Sequence, residues 1–161
     1  MPKGPAARLG DTTAHGCPLV PGPGSPTVFI GGKPAWRGLG PAGVAAIAAA
    51  VSDAMTKIMK AQAAATAAQG TVAGPAAQAN LVKTTAEQVA NVASAMLNTG
   101  ADNMACTVVK VVIPDGPGLV TTPSSTVMIG GFPACRVGDT ITEVTAVNSI
   151  AMGCPTVIIG G

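Results

Sequence analysis

Apolar residues along this chain follow two different periods, one in its centre and another in its two flanks. The centre, residues 41–101, is rich in alanine, and its apolar positions recur every three or four residues, which predicts α-helix. These positions form two stripes, made by Val44, Ala48, Val51, Met55 and Ile58 and by Val82, Ala86, Val89, Ala93 and Met96. Charged residues such as Asp53 and Lys57 fall between the apolar positions and so lie on the other faces. We predict two helices, roughly 41–69 and 75–98, that are joined at a turn containing Gly and Pro and pack as an antiparallel hairpin.

The flanks carry short runs of β-branched and apolar residues, each of which ends in two glycines. The stretch "TVFIGG" at 27–32 recurs as "TVMIGG" at 126–131 and as "TVIIGG" at 156–161. A β-branched apolar run favours a strand, and paired glycines supply the positive φ of a tight turn. Each copy is therefore predicted to be one strand of a short β-hairpin. Residues 106–113 are a further predicted strand, and "PDGPG" at 114–118 is predicted to be a turn.

A second motif, Pro-Ala-x-Arg, occurs at 5–8, 34–37 and 133–136. The first copy has no strand motif before it, and the last strand motif has no Pro-Ala-x-Arg after it. The repeat units are therefore circularly shifted along the chain: the first Pro-Ala-x-Arg motif and the last strand motif are the two parts of one unit. We expect the last strand to complete the first unit, so that three units close around a pseudo-threefold axis.

The repeated motif also brings charges into a very apolar chain. In the first and third units the arginine is followed three residues later by an aspartate, Asp11 and Asp139. A charge in so apolar a fold needs a partner, so each arginine is expected to pair with the aspartate of its own unit. In the second unit this aspartate is missing, because the helical region begins there.

Together these patterns predict a mainly β fold, a small domain of short β-hairpins with pseudo-threefold repeats. The β domain is discontinuous and consists of residues 1–40 and 102–161, and residues 41–101 form an inserted, Ala-rich antiparallel α-helical hairpin. Each helix is long enough to cross a membrane. Charged and polar residues interrupt both helices, however, and this favours a soluble hairpin.

The composition of the chain limits the classes of function and the kinds of site that it can have. The net charge of +2 gives no electrostatic basis for binding nucleic acid or an anionic membrane surface. The N-terminal residues lack the apolar core of a secretory signal peptide, so we expect export by another route. A disulfide framework is then disfavoured. The four cysteines, Cys17, Cys106, Cys135 and Cys154, are expected to be buried thiols or metal ligands.

The stretches "SPTVFIGGKPAWR", "SSTVMIGGFPACRVGD" and "CPTVIIGG" closely resemble the PAAR-repeat proteins of contractile injection systems, such as the type VI secretion apparatus. The resemblance covers residues 1–40 and 102–161. It implies a small conical β domain that caps a trimeric spike of the valine-glycine repeat type and sharpens it for membrane puncture. It further implies that the cone can carry effector cargo, and that a zinc ion held by His and Cys fixes its apex.

The same resemblance implies a set of zinc ligands. His15 matches the family's first histidine position, four residues after Asp11, and Glu143 has the same offset in the third unit. Cys106 is the best match after the helical region, and Cys17 follows His15 closely enough to reach the same side. His15, Cys17, Cys106 and Glu143 are therefore candidate ligands of a tetrahedral structural zinc. The alternative is a degenerate site in which His15 caps a turn and the thiols are buried.

No catalytic constellation is visible, so we expect a structural protein and not an enzyme. The expected function is a spike tip that aids puncture and delivers cargo, with the trimeric spike and an effector or chaperone as partners. The alternative is that residues 41–101 are a membrane-active or cargo-binding effector element that the PAAR part delivers. A metal-dependent enzyme at the apex would require an open coordination position. We expect the protein in the bacterial cytoplasm first, and then loaded on the apparatus and secreted into a target cell or the medium.

Overall fold

The computed structural model describes residues 2–109 and 114–160. Within these residues, short strands precede and follow two helices, α1 (Pro41–Ala67) and α2 (Gly74–Leu97). The strands are β1 (Gly4–Ala6), β2 (Pro21–Gly22), β3 (Phe29–Ile30), β4 (Lys33–Pro34), β5 (Asn103–Val109), β6 (Pro114–Val120), β7 (Met128–Ile129), β8 (Phe132–Pro133), β9 (Thr140–Glu143), β10 (Val147–Ser149) and β11 (Cys154–Ile159). All the strand pairs are antiparallel, and five strands form one sheet in the order β10-β9-β6-β5-β2. A small β domain with a helical hairpin inserted into it confirms the predicted fold class.

Each repeat forms the same two-stranded hairpin. β3 pairs with β4, and Ile30 lies opposite Lys33. β7 pairs with β8 in the same way, and β11 pairs with β1, where Ile159 lies opposite Gly4. Glycine at positive φ forms the β3–β4 turn, with a φ of 56° at Gly31. The pairing of β11 with β1 confirms that the last strand completes the first unit.

Three backbone hydrogen bonds join the units in a closed circle. The N–H of Ala7 donates to the carbonyl of Cys135 over 2.9 Å. Cys135 donates in turn to Trp36 over 3.1 Å, and Trp36 donates to Ala7 over 2.9 Å. The three residues occupy the same position of the three Pro-Ala-x-Arg copies, so the units surround a pseudo-threefold axis, as predicted. We call this arrangement the backbone circle.

The backbone circle separates two apolar cores, because successive side chains of an extended segment point to opposite sides. On one side, which we call the hairpin side, the alanines of the motif pack with the last isoleucine of each hairpin strand. These residues are Ala6, Ala35, Ala134, Ile30, Ile129 and Ile159. On the other side, which we call the arm side, the residues of the circle pack with the arms that follow each motif. The arm residues in this core include Cys17, Leu19, Met104, Cys106, Val120, Ile141 and Ile150.

A largely buried Arg–Asp pair closes the first and the third unit. Nη2 of Arg8 lies 2.9 Å from Oδ1 of Asp11, and Nε of Arg136 lies 2.9 Å from Oδ1 of Asp139. The hydrogen bond to Asp11 raises the pKa of Arg8, whereas burial raises the pKa of Asp139 despite its arginine partner. The predicted pairing within each unit is confirmed.

The second unit forms the same pair with Asp102, which is 65 residues after Arg37. Arg37 donates to its carboxylate through Nε over 3.0 Å and through Nη2 over 2.8 Å, and these bonds raise the pKa of Arg37. The turn itself is also repeated, since the N–H of Asp102 donates to the carbonyl of Arg37 over 3.1 Å, as Asp11 does to Arg8. The expectation that this unit lacks its aspartate is therefore wrong. The helical hairpin is inserted between the arginine and the aspartate of a single turn.

The two helices pack against each other and against the β domain. Their shared core contains Leu39, Ile47, Ala54, Val92, Met96, Ala101 and Leu119, with Phe132 and Val144 of the β domain packed on it. Both helices were predicted at the right place, but the predicted stripes were wrong in part. Met55 and Val82 are 55% and 63% exposed. The buried residues of α1 are mainly small alanines, at Ala54, Ala61 and Ala65.

Among the described residues, α1 is the helix that is long and apolar enough to cross a membrane, by length and composition. Within the most apolar stretch of this helix, only 11% of the residues are buried. Most of this helix therefore faces away from the rest of the chain.

Candidate metal centre

The three arms on the arm side carry candidate ligands at one shared offset. Each ligand lies four residues after the aspartate of its unit: His15 in the first, Cys106 in the second and Glu143 in the third. Cys106 acquires this offset only when Asp102 is recognised as the aspartate of the second unit. Because equivalent positions converge around the axis, the repeat itself brings the three side chains together.

A fourth residue, Asp115, completes the cluster. His15, Cys106, Asp115 and Glu143 each offer one donor atom, and these atoms lie within 4.8 Å of one another. Nδ1 of His15 lies 3.4 Å from Oδ2 of Asp115 and 3.4 Å from Oε2 of Glu143. The carboxylates and the cysteine are buried, whereas the side chain of His15 is 18% exposed and forms the outer edge. We call these four residues the metal cluster.

Asn148 orients two members of the metal cluster. Its Nδ2 donates to Oε1 of Glu143 over 2.8 Å and to Oγ1 of Thr13 over 3.0 Å. Its Oδ1 accepts the backbone N–H of His15 over 3.2 Å. With one oxygen of Glu143 held in this way, the other oxygen is directed toward the imidazole. Outer contacts of this kind fix the orientation of ligands in metal sites.

Sequence reasoning missed Asp115 and Asn148 because both lie on returning strands, β6 and β10, whose distances from the motif differ between units. The pairing of β5 with β6 places Asp115 beside Cys106, which lies opposite Gly116. The prediction of a turn at "PDGPG" is wrong, since these residues belong to β6. The part of the predicted strand at 110–113 lies outside the described residues.

Cys17 and Cys106 form a disulfide that joins the first and second arms across 89 residues, with their Cα atoms 5.5 Å apart. The expectation of free thiols is wrong for these two residues, because the fold places them side by side. Cys17 is not one of the four donors of the metal cluster. Cys135 and Cys154 are free and buried, as predicted. Burial raises the pKa of the Cys135 thiol, and a hydrogen bond with Thr156 lowers that of Cys154.

The donor set fits a divalent metal ion. An imidazole, carboxylates and a cysteine sulfur in its thiolate form are the ligands that zinc takes in tetrahedral sites. Two buried carboxylates beside one imidazole also concentrate negative charge, which a divalent cation would offset. Of the four ligands predicted from the sequence, the structure brings His15, Cys106 and Glu143 into the metal cluster and bonds Cys17 to Cys106.

A second feature repeats three times on the hairpin side, where two neighbouring apolar side chains of each unit are exposed. The first position of each pair is 36%, 36% and 38% exposed, at Val28, Val127 and Val157. The second position is 60%, 56% and 57% exposed, at Phe29, Met128 and Ile158. We call these six residues the apolar ring. Their near-identical exposure shows that the threefold arrangement extends to the surface.

Comparison with known proteins supports the resemblance stated from the sequence. The model of the PAAR motif family matches residues 112–161, which include the third motif copy, Glu143 and β11. This match supports a PAAR-repeat protein, with the spike-tip type of role that such proteins have in contractile injection systems and the association with a spike that this role implies. PAAR proteins are structural components of the spike tip. No curated protein and no solved structure matches the chain.

Proposed function

We propose that this protein caps the trimeric spike of a contractile injection apparatus as a single copy and sharpens it for puncturing a target membrane. The apolar ring carries the proposal, because one chain presents equivalent pairs of apolar side chains three times around an axis. A trimeric spike offers three identical surfaces around its own axis. Each surface can therefore receive one pair, and the burial contributes about 25 cal/mol per Å² of apolar area removed from water.

The test is to place a charge in the ring and measure binding to the trimeric spike protein encoded nearby. The variants Phe29→Asp, Met128→Asp and Ile158→Asp are each expected to weaken binding by about tenfold or more, since the aspartate would lose its hydration against an apolar partner. Met152→Asp is the matched control, because Met152 is 58% exposed and lies outside the ring. Native mass spectrometry of the complex is expected to give one copy per spike trimer. Three copies per trimer, or ring variants that bind like the wild type, would contradict the proposal.

The metal cluster holds, in this proposal, a structural zinc ion that ties the three arms together. Protein purified under reducing conditions without chelator is expected to contain close to one zinc per chain, because the four donors complete a tetrahedral shell. His15→Ala is expected to lower both the zinc content and the melting temperature, since a structural metal contributes directly to folding. Cys154→Ser removes a thiol outside the cluster and is expected to leave the zinc content unchanged. Reduced wild-type protein that takes up no zinc would remove the metal from the proposal.

A second candidate function rests on the exposed apolar surface of α1. In this case the helical hairpin is a membrane-active or cargo-binding element, binding an effector or its chaperone, and the β domain delivers it. The full chain would release dye from liposomes, and a variant with Met55→Lys and Met59→Lys would not, because both side chains are more than half exposed on α1. Equal leakage by the two proteins, or none by either, would remove the membrane-active form of this candidate.

The proposed route begins in the bacterial cytoplasm, where the protein is loaded on the apparatus, and ends in a target cell or the medium. The protein would then appear in the medium of cells with a working contractile sheath and not in that of sheath-deficient cells. Equal amounts in both media would contradict this route.

A further inference from the structure

Cys106 takes part in two arrangements that need different chemical forms of its sulfur. It supplies one of the four donor atoms of the metal cluster, and it is also bonded to Cys17. A cysteine that binds a metal must be in its thiolate form, which carries a negative charge. A disulfide sulfur carries none, so the cluster has three anionic or imidazole donors when the disulfide is closed and a fourth, strong donor when it is open.

We propose that the Cys17–Cys106 pair is a redox switch of the metal centre: with both sulfurs reduced the cluster holds zinc, and closure of the disulfide releases it. This proposal rests on the metal centre of the proposed function. Cys17 is the residue that makes the switch specific, because its sulfur reaches Cys106 but is not among the four donors. The other two cysteines are free and buried, and the structure bonds neither to the cluster.

The step balances with a small disulfide, such as glutathione disulfide, as the oxidant. The Cys17 thiol and the Cys106 thiolate together lose two electrons and form the S–S bond, while the S–S bond of the oxidant breaks and accepts these electrons. One product thiol takes the proton of Cys17, and the other takes a proton from solvent. The zinc ion keeps its charge and leaves as the hydrated ion, because it has lost the thiolate.

The switch agrees with the step of the proposed route that leads from the cytoplasm to the medium. Thiols stay reduced in the cytoplasm, whereas disulfides form and persist in oxidising compartments outside it. The arms would be tied by zinc during assembly and by the disulfide after delivery. Either link joins the first arm to the second, so these two arms remain connected in both forms, whereas the link to the third arm through Glu143 requires the zinc.

The experiment measures zinc and thiols together in the full-length protein. Reduced protein is loaded with zinc, freed of excess metal and oxidised with glutathione disulfide. Released zinc is read with a chromogenic chelator, and the remaining thiols are counted after denaturation. Wild-type protein is expected to release one zinc for every disulfide formed, because the oxidised form lacks the thiolate ligand.

Two variants separate the roles of the cysteines. Cys17→Ser cannot form the disulfide but keeps the thiolate of Cys106, so it is expected to bind zinc and to retain it in the presence of the oxidant. Cys106→Ser is expected to bind zinc weakly with or without oxidant. Cys154→Ser is the matched control, and it is expected to release zinc on oxidation like the wild type.

Three outcomes would overturn the switch: oxidised wild type that retains its zinc, Cys17→Ser that releases zinc as readily as the wild type, or reduced wild type that takes up none. Binding to the spike is measured on the same samples. Protein that fails to bind the spike but releases zinc on oxidation would contradict only the spike-tip function. Protein that binds the spike but keeps its zinc on oxidation would contradict only the switch.

Discussion

The Arg–Asp pairs of the β domain and the Lys–Asp pair of α1 lie in opposite environments. The side chains of Arg37 and Asp102 are 11% and 0% exposed, and they share two side-chain hydrogen bonds. In α1, the side chains of the Asp53–Lys57 pair are 62% and 51% exposed. Removing one partner of a buried pair costs about 3–5 kcal/mol, whereas an exposed helical pair contributes about 0.3–0.5 kcal/mol. Oppositely charged pairs therefore hold the turns of the β domain together but add little to the stability of the hairpin.

The two regions also differ in what specifies them. The β domain depends on backbone bonds and ion pairs that are repeated three times around an axis, so the arginine and the aspartate recur in every unit. The hairpin depends on packing between a face of α1 that is rich in alanine and the larger side chains of Val92 and Met96 on α2. Leu119 joins the two regions, because it lies on β6 and is fully buried in the core of the hairpin. The insertion is separate in the topology but is coupled to the β domain in its packing.

The largest effect is expected from Asp102→Ala. The change would leave the guanidinium of Arg37 without its carboxylate and would open the turn that bounds the insertion, at a cost of about 3–5 kcal/mol in the free energy of unfolding. Urea unfolding measures this cost. Asp53→Ala on α1 is the control, and it is expected to cost no more than about 0.5 kcal/mol. Equal effects of the two changes would contradict the contrast between the regions.

Met96→Ala tests the core of the hairpin. Met96 is completely buried between the helices and β6, so its truncation is expected to cost about 2–5 kcal/mol through lost burial and an added cavity. Met59→Ala, at a side chain that is 66% exposed, is expected to change stability by no more than about 0.5 kcal/mol. If Met96→Ala lowers the helical circular dichroism signal at a temperature where the β domain stays folded, the hairpin melts on its own. A single unfolding transition shared by both regions would instead show that the packing through Leu119 makes the hairpin and the β domain unfold together.

Replacing residues 42–100 with a short Gly/Ser linker separates the two regions directly. The Arg37–Asp102 pair remains, so the β domain is expected to fold and to bind the spike while the helical circular dichroism signal is lost. Exposure of Leu119 is expected to cost about 1.5–3 kcal/mol of stability. A second version that carries Leu119→Thr removes this exposed apolar side chain and is expected to be more soluble. Aggregation of both versions, or folding without spike binding, would assign the helices to the core or to the docking surface.

The smallest effect is expected from Cys154→Ser. Serine occupies the equivalent position in the other two units, where Oγ of Ser25 accepts the N–H of Val28 over 3.1 Å and Oγ of Ser124 accepts that of Val127 over 3.1 Å. The change is therefore expected to cost less than about 1.5 kcal/mol, because the new hydroxyl meets the same kind of hydrogen-bond donor as in the other two units. Thermal unfolding under reducing conditions is the measurement. A larger loss would show that the first unit is not equivalent to the other two at this position.

Much of the fold was predictable because its signals are local and repeated. The β-branched runs with paired glycines predicted the hairpins, and the phase of the repeat predicted that β11 pairs with β1. The helices were predicted from the spacing of apolar residues, but their buried face was not. In an alanine-rich helix several faces are almost equally apolar, so only the contact between the helices decides which one is buried.

The candidate site was predictable only in part. The repeat placed His15 and Glu143 at one offset, because the distance from the aspartate to the ligand is fixed within each unit. In the second unit the helical insertion separates Asp102 from Arg37 by 65 residues, so the sequence did not reveal this aspartate. Asp115 lies on a returning strand that has no fixed distance from the motif.

The sequence by itself determined the repeated motifs, the β3–β4 and β7–β8 hairpins and the two helices, since each of these depends on neighbours within a few positions. Tertiary structure alone decided that Asp102 pairs with Arg37, that Cys17 meets Cys106, and that Asp115 joins the metal cluster. These contacts join residues that are tens of positions apart, and the intervening segments have no common length. Their pairing is decided by which side chains meet when the three units close around one axis; the repeat predicts the axis but not these contacts.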